Sequence, residues 1–182
     1  MIRQLAFDLP AREAWRRADF FLSPANAPAL AAVDDWRNWP SGKLMLIGPP
    51  GSGKTHLARL WAAECGAAVL PARDLASADL PALSSHGAVA VEDAETAAGD
   101  PQTEAAFFHL HNLVTQAGHL LVTAARPPRD WGLTLPDLAS RLQAAAVARI
   151  DAPDDALLSA VLIKLFADRQ ITVPPALIPY QI

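Results

Sequence analysis

The stretch GPPGSGKT at residues 48–55 constrains the fold of this chain more than any other part of its sequence. It matches the pattern G-x-x-x-x-G-K-[ST] at every fixed position, and glycines let a main chain wrap closely around a phosphate with its N–H groups pointing inwards. An apolar run, Lys43–Ile47, precedes the stretch, and apolar residues at helical spacing, Leu57, Leu60 and Trp61, follow it. A glycine-rich loop between a buried strand and a helix predicts a phosphate-binding site at the amino end of that helix.

We expect the side chains of this motif to bind a nucleotide, with ATP or ADP and Mg²⁺ as the cofactors. The Lys54 amine would reach the β- and γ-phosphates, and the Thr55 hydroxyl would bind Mg²⁺. A chance glycine turn is the alternative, but the strand before the loop and the helix after it count against that reading. The predicted cofactor-binding residues are Gly48, Pro49, Pro50, Gly51, Ser52, Gly53, Lys54, Thr55 and His56.

The rest of the chain alternates short apolar runs with helical patterns. After the first strand candidate, further apolar runs lie at residues 67–70, 87–91, 119–123 and 147–150. Strands that alternate with helices favour a parallel sheet covered on both faces. We therefore predict an α/β nucleotide-binding domain with a five-stranded parallel sheet and flanking helices over residues 11–150.

The pattern changes after residue 150. Pro153, Asp154 and Asp155 suit the first turn of a helix, and apolar residues recur at helical spacing from Leu157 onwards. We expect residues 151–182 to begin a small helical lid that looks truncated in this sequence.

Two acidic residues, Glu92 and Asp93, follow the third strand candidate. Phosphate-loop NTPases usually carry here a metal-binding Asp and then a Glu that orients the attacking water, so the order is reversed. We interpret Glu92 as a Mg²⁺ ligand and Asp93 as a catalytic residue, with a solvated strand end as the alternative. Hydrolysis should be slow, because Asp93 is one methylene shorter than Glu and would hold a water less well.

Thr123 ends the fourth strand candidate, where its hydroxyl could sense the γ-phosphate. We count it as a third catalytic candidate, although a β-branched residue is also ordinary in a strand.

The composition limits the class of protein. A chain of 182 residues, 52% of them hydrophobic, can bury the core of one domain. Its net charge of −4 argues against sequence-specific DNA binding, because a protein that grips phosphates is usually basic. A single cysteine, Cys65, fits a reducing compartment, and neither a bilayer-spanning run nor a signal peptide is evident. We therefore expect a cytoplasmic protein with no membrane partner.

Two longer stretches resemble the DnaA family of AAA+ proteins. GPPGSGKTHLARLWA is similar to the phosphate loop of that family, and LLVTAARPPRDWGLTLPDLASRLQAA is similar to its stretch from sensor 1 to box VII. The short chain most resembles the Hda-type regulators within the family, and QLAFDLP and VEDA resemble their alphaproteobacterial branch. The resemblance implies an AAA+ P-loop fold and binding to the DNA polymerase sliding clamp. It also implies stimulation of ATP hydrolysis by DnaA, which inhibits replication initiation.

The same resemblance assigns a role to Arg141. This residue occupies the arginine position of the family's S-R-[LF] sequence, which implies that it is the arginine finger. The resemblance further implies head-to-tail assembly of subunits in the presence of nucleotide. The protein itself would be at most a weak ATPase.

Residues 4–10, QLAFDLP, resemble the clamp-binding peptide of Hda-type proteins and polymerases. The resemblance implies that Gln4 hydrogen-bonds at the rim of the clamp's pocket while Leu5, Phe7 and Leu9 fill it. Residues two apart share a face of an extended peptide, so the three apolar side chains could dock together. We assign residues 1–10 as a clamp-binding peptide, with a tail folded onto its own domain as the alternative.

Two other functional classes stay open at this point. One is an AAA+ helicase loader or another DnaA-like replication adaptor, which accounts for everything except the amino-terminal peptide. The other is a small-molecule P-loop kinase, which leaves that peptide and Arg141 unexplained and lacks an evident acceptor site. Clamp binding is the measurement that separates the regulator from the loader.

Overall fold

The computed structural model describes residues 20–153 and, beyond them, residues 157–159, 161, 163 and 166. The predicted clamp-binding peptide, with Gln4, Leu5, Phe7 and Leu9, lies outside the described residues, as does most of the predicted lid. The five strands are β1 (Lys43–Ile47), β2 (Ala68–Pro71), β3 (Ala88–Glu92), β4 (His119–Ala124) and β5 (Ala146–Arg149). The five α-helices up to residue 153 are α1 (Ala27–Asp34), α2 (Lys54–Cys65), α3 (Leu80–Ser84), α4 (Pro101–Val114) and α5 (Pro136–Gln143).

Short 3₁₀ turns complete the connections between these elements. They lie at Trp36–Asn38, Pro40–Gly42, Ala72–Ser77, Ala94–Ala97 and Pro128–Asp130. Among the residues that the structure describes, no helix is both long and apolar enough to cross a bilayer.

The five strands form one parallel sheet in the order β2-β3-β4-β1-β5, which confirms the predicted sheet. β1 lies between β4 and β5, with Leu46 opposite Thr123 and Met45 opposite Val147. The chain segments that leave β1, β3 and β4 therefore meet at one edge of the sheet, the edge where ligands of open α/β sheets bind.

The sheet is covered on both faces because its central strands are apolar on both sides. All five residues of β1 are buried, and its side chains alternate between two clusters. Met45 and Ile47 pack with α4 and α5, whereas Leu44 and Leu46 pack with α1 and α2. Burying an aliphatic side chain of this size stabilises the fold by about 1.5–3 kcal/mol.

Two helix ends show how the sequence sets the element boundaries. The Asp100 carboxylate accepts hydrogen bonds from the backbone N–H groups of Gln102 and Thr103 and so caps α4 at its amino end. Gly66 closes α2 with a φ of 75°, the left-handed conformation in which a glycine commonly ends a helix.

Candidate functional site

The loop after β1 requires glycine for two different physical reasons. A Cβ on Gly48 would lie 2.7 Å from the Ile150 carbonyl oxygen and 2.7 Å from Ser52 Oγ, so a larger residue would have to displace the main chain. Gly51 and Gly53 instead have φ angles of 75° and 99°, which side chains other than glycine rarely adopt. Gly53 is also the residue that precedes α2, so the loop leads directly into the amino end of a helix.

Lys54 is the first residue of α2, and its side chain lies against the loop. Its Nζ atom donates to the carbonyl oxygens of Gly48, at 2.8 Å, and Pro49, at 2.9 Å. Burial lowers the pKa of Lys54, and the charges of Glu95 and Asp93 oppose that change. The amine is thus held beside the loop with acidic groups near it.

The loop fits a nucleotide phosphate chain. Ser52 Oγ is buried and has no hydrogen-bond partner among the described residues. The amino end of a helix and a nearby lysine supply donors and positive charge, which suit phosphate oxygens. Thr55 is exposed in the first turn of α2, where its hydroxyl can face a metal ion, and His56 packs beside the loop.

The two acids after β3 occupy different environments. Glu92 is buried, with Oε1 unpartnered among the described residues and Oε2 4.0 Å from Arg59 Nη2. Asp93 is exposed, and its backbone N–H donates to Thr123 Oγ1 at 3.2 Å. The structure therefore brings Glu92, Asp93 and Thr123 together at the carboxyl edge of neighbouring strands.

No cluster of three or more His, Cys, Asp or Glu side chains able to hold a metal ion occurs within the described part of the chain. Glu92 and Thr55 are hard oxygen ligands of the kind that Mg²⁺ prefers, and Mg²⁺ commonly takes one carboxylate together with phosphate oxygens. The residues present thus fit a Mg²⁺ ion that arrives with a nucleotide.

Glu95 is a site residue that the sequence reasoning missed. Its Oε1 accepts the N–H of Ala125 at 2.8 Å and so ties the turn after β3 to the segment after β4. Its Oε2 is buried and unpartnered among the described residues, and its charge acts on Lys54 more strongly than that of Asp93. The close spacing of three acidic residues in VEDAE, residues 91–95, could have indicated that Glu95 lies near the other two acids.

Phe20 is a second residue that carries no motif and yet lies at the loop. Its ring would be 3.7 Å from a Cβ on Gly53, and its centroid is 5.3 Å from that of His56. The Asp151 N–H donates to the Ala25 carbonyl at 3.0 Å and joins this amino-terminal segment to the chain that follows β5. The described residues before α1 therefore place Phe20 beside the phosphate loop.

Arg141 lies away from this group of residues. It is exposed in the last turn of α5, with its guanidinium carbon 5.2 Å from the centre of the Phe108 ring on α4. Its carbonyl oxygen accepts from Lys43 Nζ at 2.8 Å, and Lys43 begins β1, whereas Gly48 follows the end of that strand. The five residues of β1 rise about 3.3 Å each, so the Lys43 end of the strand lies roughly 16 Å from the end at which the phosphate loop begins.

The strand order, the phosphate loop between β1 and α2, and the acids at the end of β3 define an AAA+ P-loop fold. In agreement, residues 44–107, about a third of the chain, match the family model described as "ATPase family associated with various cellular activities (AAA)".

Among solved structures, the chain is similar to several of the replication initiator DnaA. Domain III of DnaA from Thermotoga maritima superposes with a TM-score of 0.73 at 18% identity, covering 94% of this chain and 81% of that one. AMPPCP-bound DnaA from Aquifex aeolicus gives 0.72 at 18% identity, with coverages of 92% and 59%. A DnaA bound to AMPPCP and single-stranded DNA gives 0.71 at 20% identity, with coverages of 90% and 57%.

These similarities make the fold DnaA-like. The chain spans 57–59% of the length of the two longer DnaA chains.

Proposed function

We propose that this chain is a nucleotide-binding regulator of replication initiation that binds the sliding clamp and stimulates ATP hydrolysis by DnaA. The position of Arg141 carries this proposal. Its guanidinium is exposed, and its main chain lies at the edge of the sheet opposite the phosphate loop of the same chain. Such an arginine suits the nucleotide of another subunit better than its own.

The phosphate loop supports ATP and ADP binding. The amino end of α2 and the Lys54 amine would hold the β- and γ-phosphates. Thr55 and Glu92 would hold Mg²⁺, which when bound neutralises charge on the phosphates. The binding of AMPPCP by DnaA structures with the same fold agrees with this assignment.

The acidic groups support slow hydrolysis by the chain itself. Asp93 has a short, exposed side chain. Its bond to Thr123 is made by the backbone N–H, so this bond does not hold the carboxylate in place. General-base chemistry depends on placement, so such a group would orient a water less well than a longer and better-held carboxylate. We expect intrinsic turnover well below the roughly 1–100 s⁻¹ of efficient phosphoryl-transfer enzymes.

Stimulation of DnaA would follow from Arg141 acting in trans. An arginine supplied by a neighbouring subunit stabilises the charge that develops on the transferred phosphoryl group, and it can raise the rate about 10³–10⁵-fold. We propose a head-to-tail arrangement in which Arg141 of one subunit faces the phosphate loop of the next, whether that is DnaA or a second copy of this chain.

The clamp interaction is assigned to residues 4–10 on their resemblance to clamp-binding peptides. Replacing Gln4, Leu5 and Phe7 together with alanine should abolish co-elution with the clamp loaded on DNA and leave ADP affinity unchanged. Asp8→Ala is the matched control, since in an extended peptide Asp8 faces away from the apolar side chains. If the triple variant still co-elutes with the clamp, these residues are not the clamp-binding peptide.

A stimulation assay tests the role of Arg141 directly. Arg141→Ala should retain ADP and clamp binding but lose stimulation of DnaA hydrolysis. Arg129→Ala is the control, because Arg129 is also an exposed arginine, with 75% of its side chain accessible. Full stimulation by Arg141→Ala would overturn the proposal. A chain that binds a replicative helicase and not the clamp would instead be a loader.

A further inference from the structure

We propose that Lys43, Glu104 and Phe108 are positioning residues that hold α5 and thereby set the place of Arg141. The inference rests on the proposed function, because it assumes that Arg141 acts on a nucleotide held by another subunit. None of the three residues belongs to the phosphate loop, and each is joined to α5 by a contact of its own.

Glu104, a fully buried residue of α4, holds the amino end of α5. Its carboxylate accepts the backbone N–H groups of Leu135, at 2.7 Å, and Thr134, at 2.9 Å. It also accepts the Thr134 hydroxyl at 3.0 Å. Leu135 stands at the N-cap position of α5 and has no side-chain oxygen to offer. Glu104 therefore supplies, from the neighbouring helix, the negative charge and acceptors that the start of a helix requires.

Lys43 holds the carboxyl end of α5. Its side chain is buried at the start of β1, and Nζ donates to the Arg141 carbonyl oxygen at 2.8 Å. The same atom lies 3.3 Å from Nε2 of His111, which is also buried. An ammonium group can only donate, so His111 Nε2 accepts from it and helps to fix the lysine. Lys43 thus pairs a carbonyl of the last turn, where helices leave such groups without an internal partner.

Phe108 supports the side chain of Arg141 at the same carboxyl end of α5. The guanidinium lies over its ring, in the arrangement of a cation–π contact. Glu104, Phe108 and His111 are spaced i, i+4 and i+7 on α4, so they share one face of that helix. This face meets the residues that lead into α5 through Glu104 and the last turn of α5 through Phe108, and it gives the Arg141 guanidinium a fixed support.

An ordinary packing role predicts different behaviour from a positioning role. If these residues only stabilise the domain, replacing them would lower the stimulated rate, nucleotide affinity and complex formation together. Residues that place Arg141 would lower the rate of the stimulated reaction while nucleotide affinity and complex formation stay constant. The effect on rate can be large, because a misplacement of about 1 Å can cost roughly 100-fold.

The test measures ATP hydrolysis by DnaA against the concentration of the full-length chain, with the clamp loaded on DNA. We expect Lys43→Met to lower the maximal rate roughly 10- to 100-fold. The concentration for half-maximal stimulation, ADP affinity and clamp retention should stay within about twofold. Lys43→Arg keeps a charged donor and should recover most of the rate. Asp137→Asn, an exposed change on α5 itself, is the control that should have no effect.

The outcomes separate this inference from the proposed function. If Arg141→Ala keeps full stimulation, the proposed function fails, whatever Lys43→Met does. If Arg141→Ala loses stimulation but Lys43→Met keeps it, the positioning inference alone is overturned. Loss of ADP affinity in Lys43→Met would also overturn it in favour of a general packing role. Should Lys43→Met fail to fold, Phe108→Leu decides the matter by the same split between rate and half-maximal concentration.

Discussion

The contacts of Glu104 allow the cost of one substitution to be worked out in advance. Glu104→Gln keeps the shape of the side chain but turns one of two accepting oxygens into a donor. One oxygen accepts the N–H groups of Leu135 and Thr134, and the other accepts that of Gly99 at 3.0 Å. Either orientation of the amide therefore leaves at least one N–H facing another donor.

Each donor left without a partner in a buried site costs about 1–3 kcal/mol, and the lost charge weakens the remaining bonds. We expect Glu104→Gln to lower the free energy of unfolding by about 1–3 kcal/mol, a sizeable part of the roughly 5–15 kcal/mol of a typical domain. Urea unfolding followed by tryptophan fluorescence would show this as a lower midpoint with an unchanged slope. Asp137→Asn, which alters an exposed charge at the same helix end, is the matched control and should cost at most about 1 kcal/mol.

Acid provides a second arm of the same experiment. Burial alone would raise the pKa of Glu104, but the hydrogen bonds from Thr134, Gly99 and Leu135 outweigh it, so the pKa is lowered. The stabilisation is therefore complete above the unfolded-state pKa of about 4.3, and it is lost as the pH falls through the folded-state value. The difference in the free energy of unfolding between the wild type and Glu104→Gln should therefore become smaller as the pH falls through that range. A Glu104→Gln protein as stable as the control at pH 7 would refute the reasoning.

Three further predictions concern other residues. Lys54→Ala should abolish ADP binding measured by calorimetry, because it removes the charge that the loop brings to the phosphates; unchanged affinity would contradict the site. Gly48→Ala should weaken ADP binding, because the new Cβ would displace the loop. Gly66→Ala is the control: its Cβ would meet no atom within 4 Å, so it should lower stability through the φ of 75° but leave ADP affinity unchanged. Burial, together with the Lys43 charge, lowers the pKa of His111 to about 4, so only the unfolded chain gains its proton as the pH falls from 6.5. His111 should therefore contribute a drop of about 3 kcal/mol in the free energy of unfolding between pH 6.5 and 4, and His111→Phe should lose this contribution whereas His109→Gln should keep it.

The strands could be predicted to within one residue because each coincides with a short apolar run. A strand buried on both faces needs such a run, and the loop pattern after Ile47 fixed where the first strand ends. The strand order could not be predicted, because it depends on which strands pair across long stretches of chain. β1 pairs with β4 and β5, although it lies closest in the sequence to β2.

The roles of Glu104 and Lys43 could not be predicted from the sequence either, because their partners are distant along the chain. Glu104 occurs in the helical pattern TEAAFF, where a glutamate is ordinarily a solvent-facing residue. Its role depends on Thr134, 30 residues further on, just as the role of Lys43 depends on Arg141, 98 residues further on. Local spacing does separate His109 from His111, because residues two apart on a helix face different ways: His109 is exposed and His111 is buried.

The two edges of the sheet differ in how well each is equipped for its proposed task. At the carboxyl edge, the residue that we propose to orient the attacking water, Asp93, has a short and exposed side chain. At the opposite edge, the main chain of Arg141 is held by a buried lysine, and its side chain lies on a phenylalanine ring. Only interactions that strengthen in the transition state raise a rate, and they require a group that is already in place. A domain in which the acid that orients water is loosely held and the arginine is firmly held would hydrolyse its own ATP slowly and would accelerate hydrolysis of the ATP bound to a neighbouring subunit.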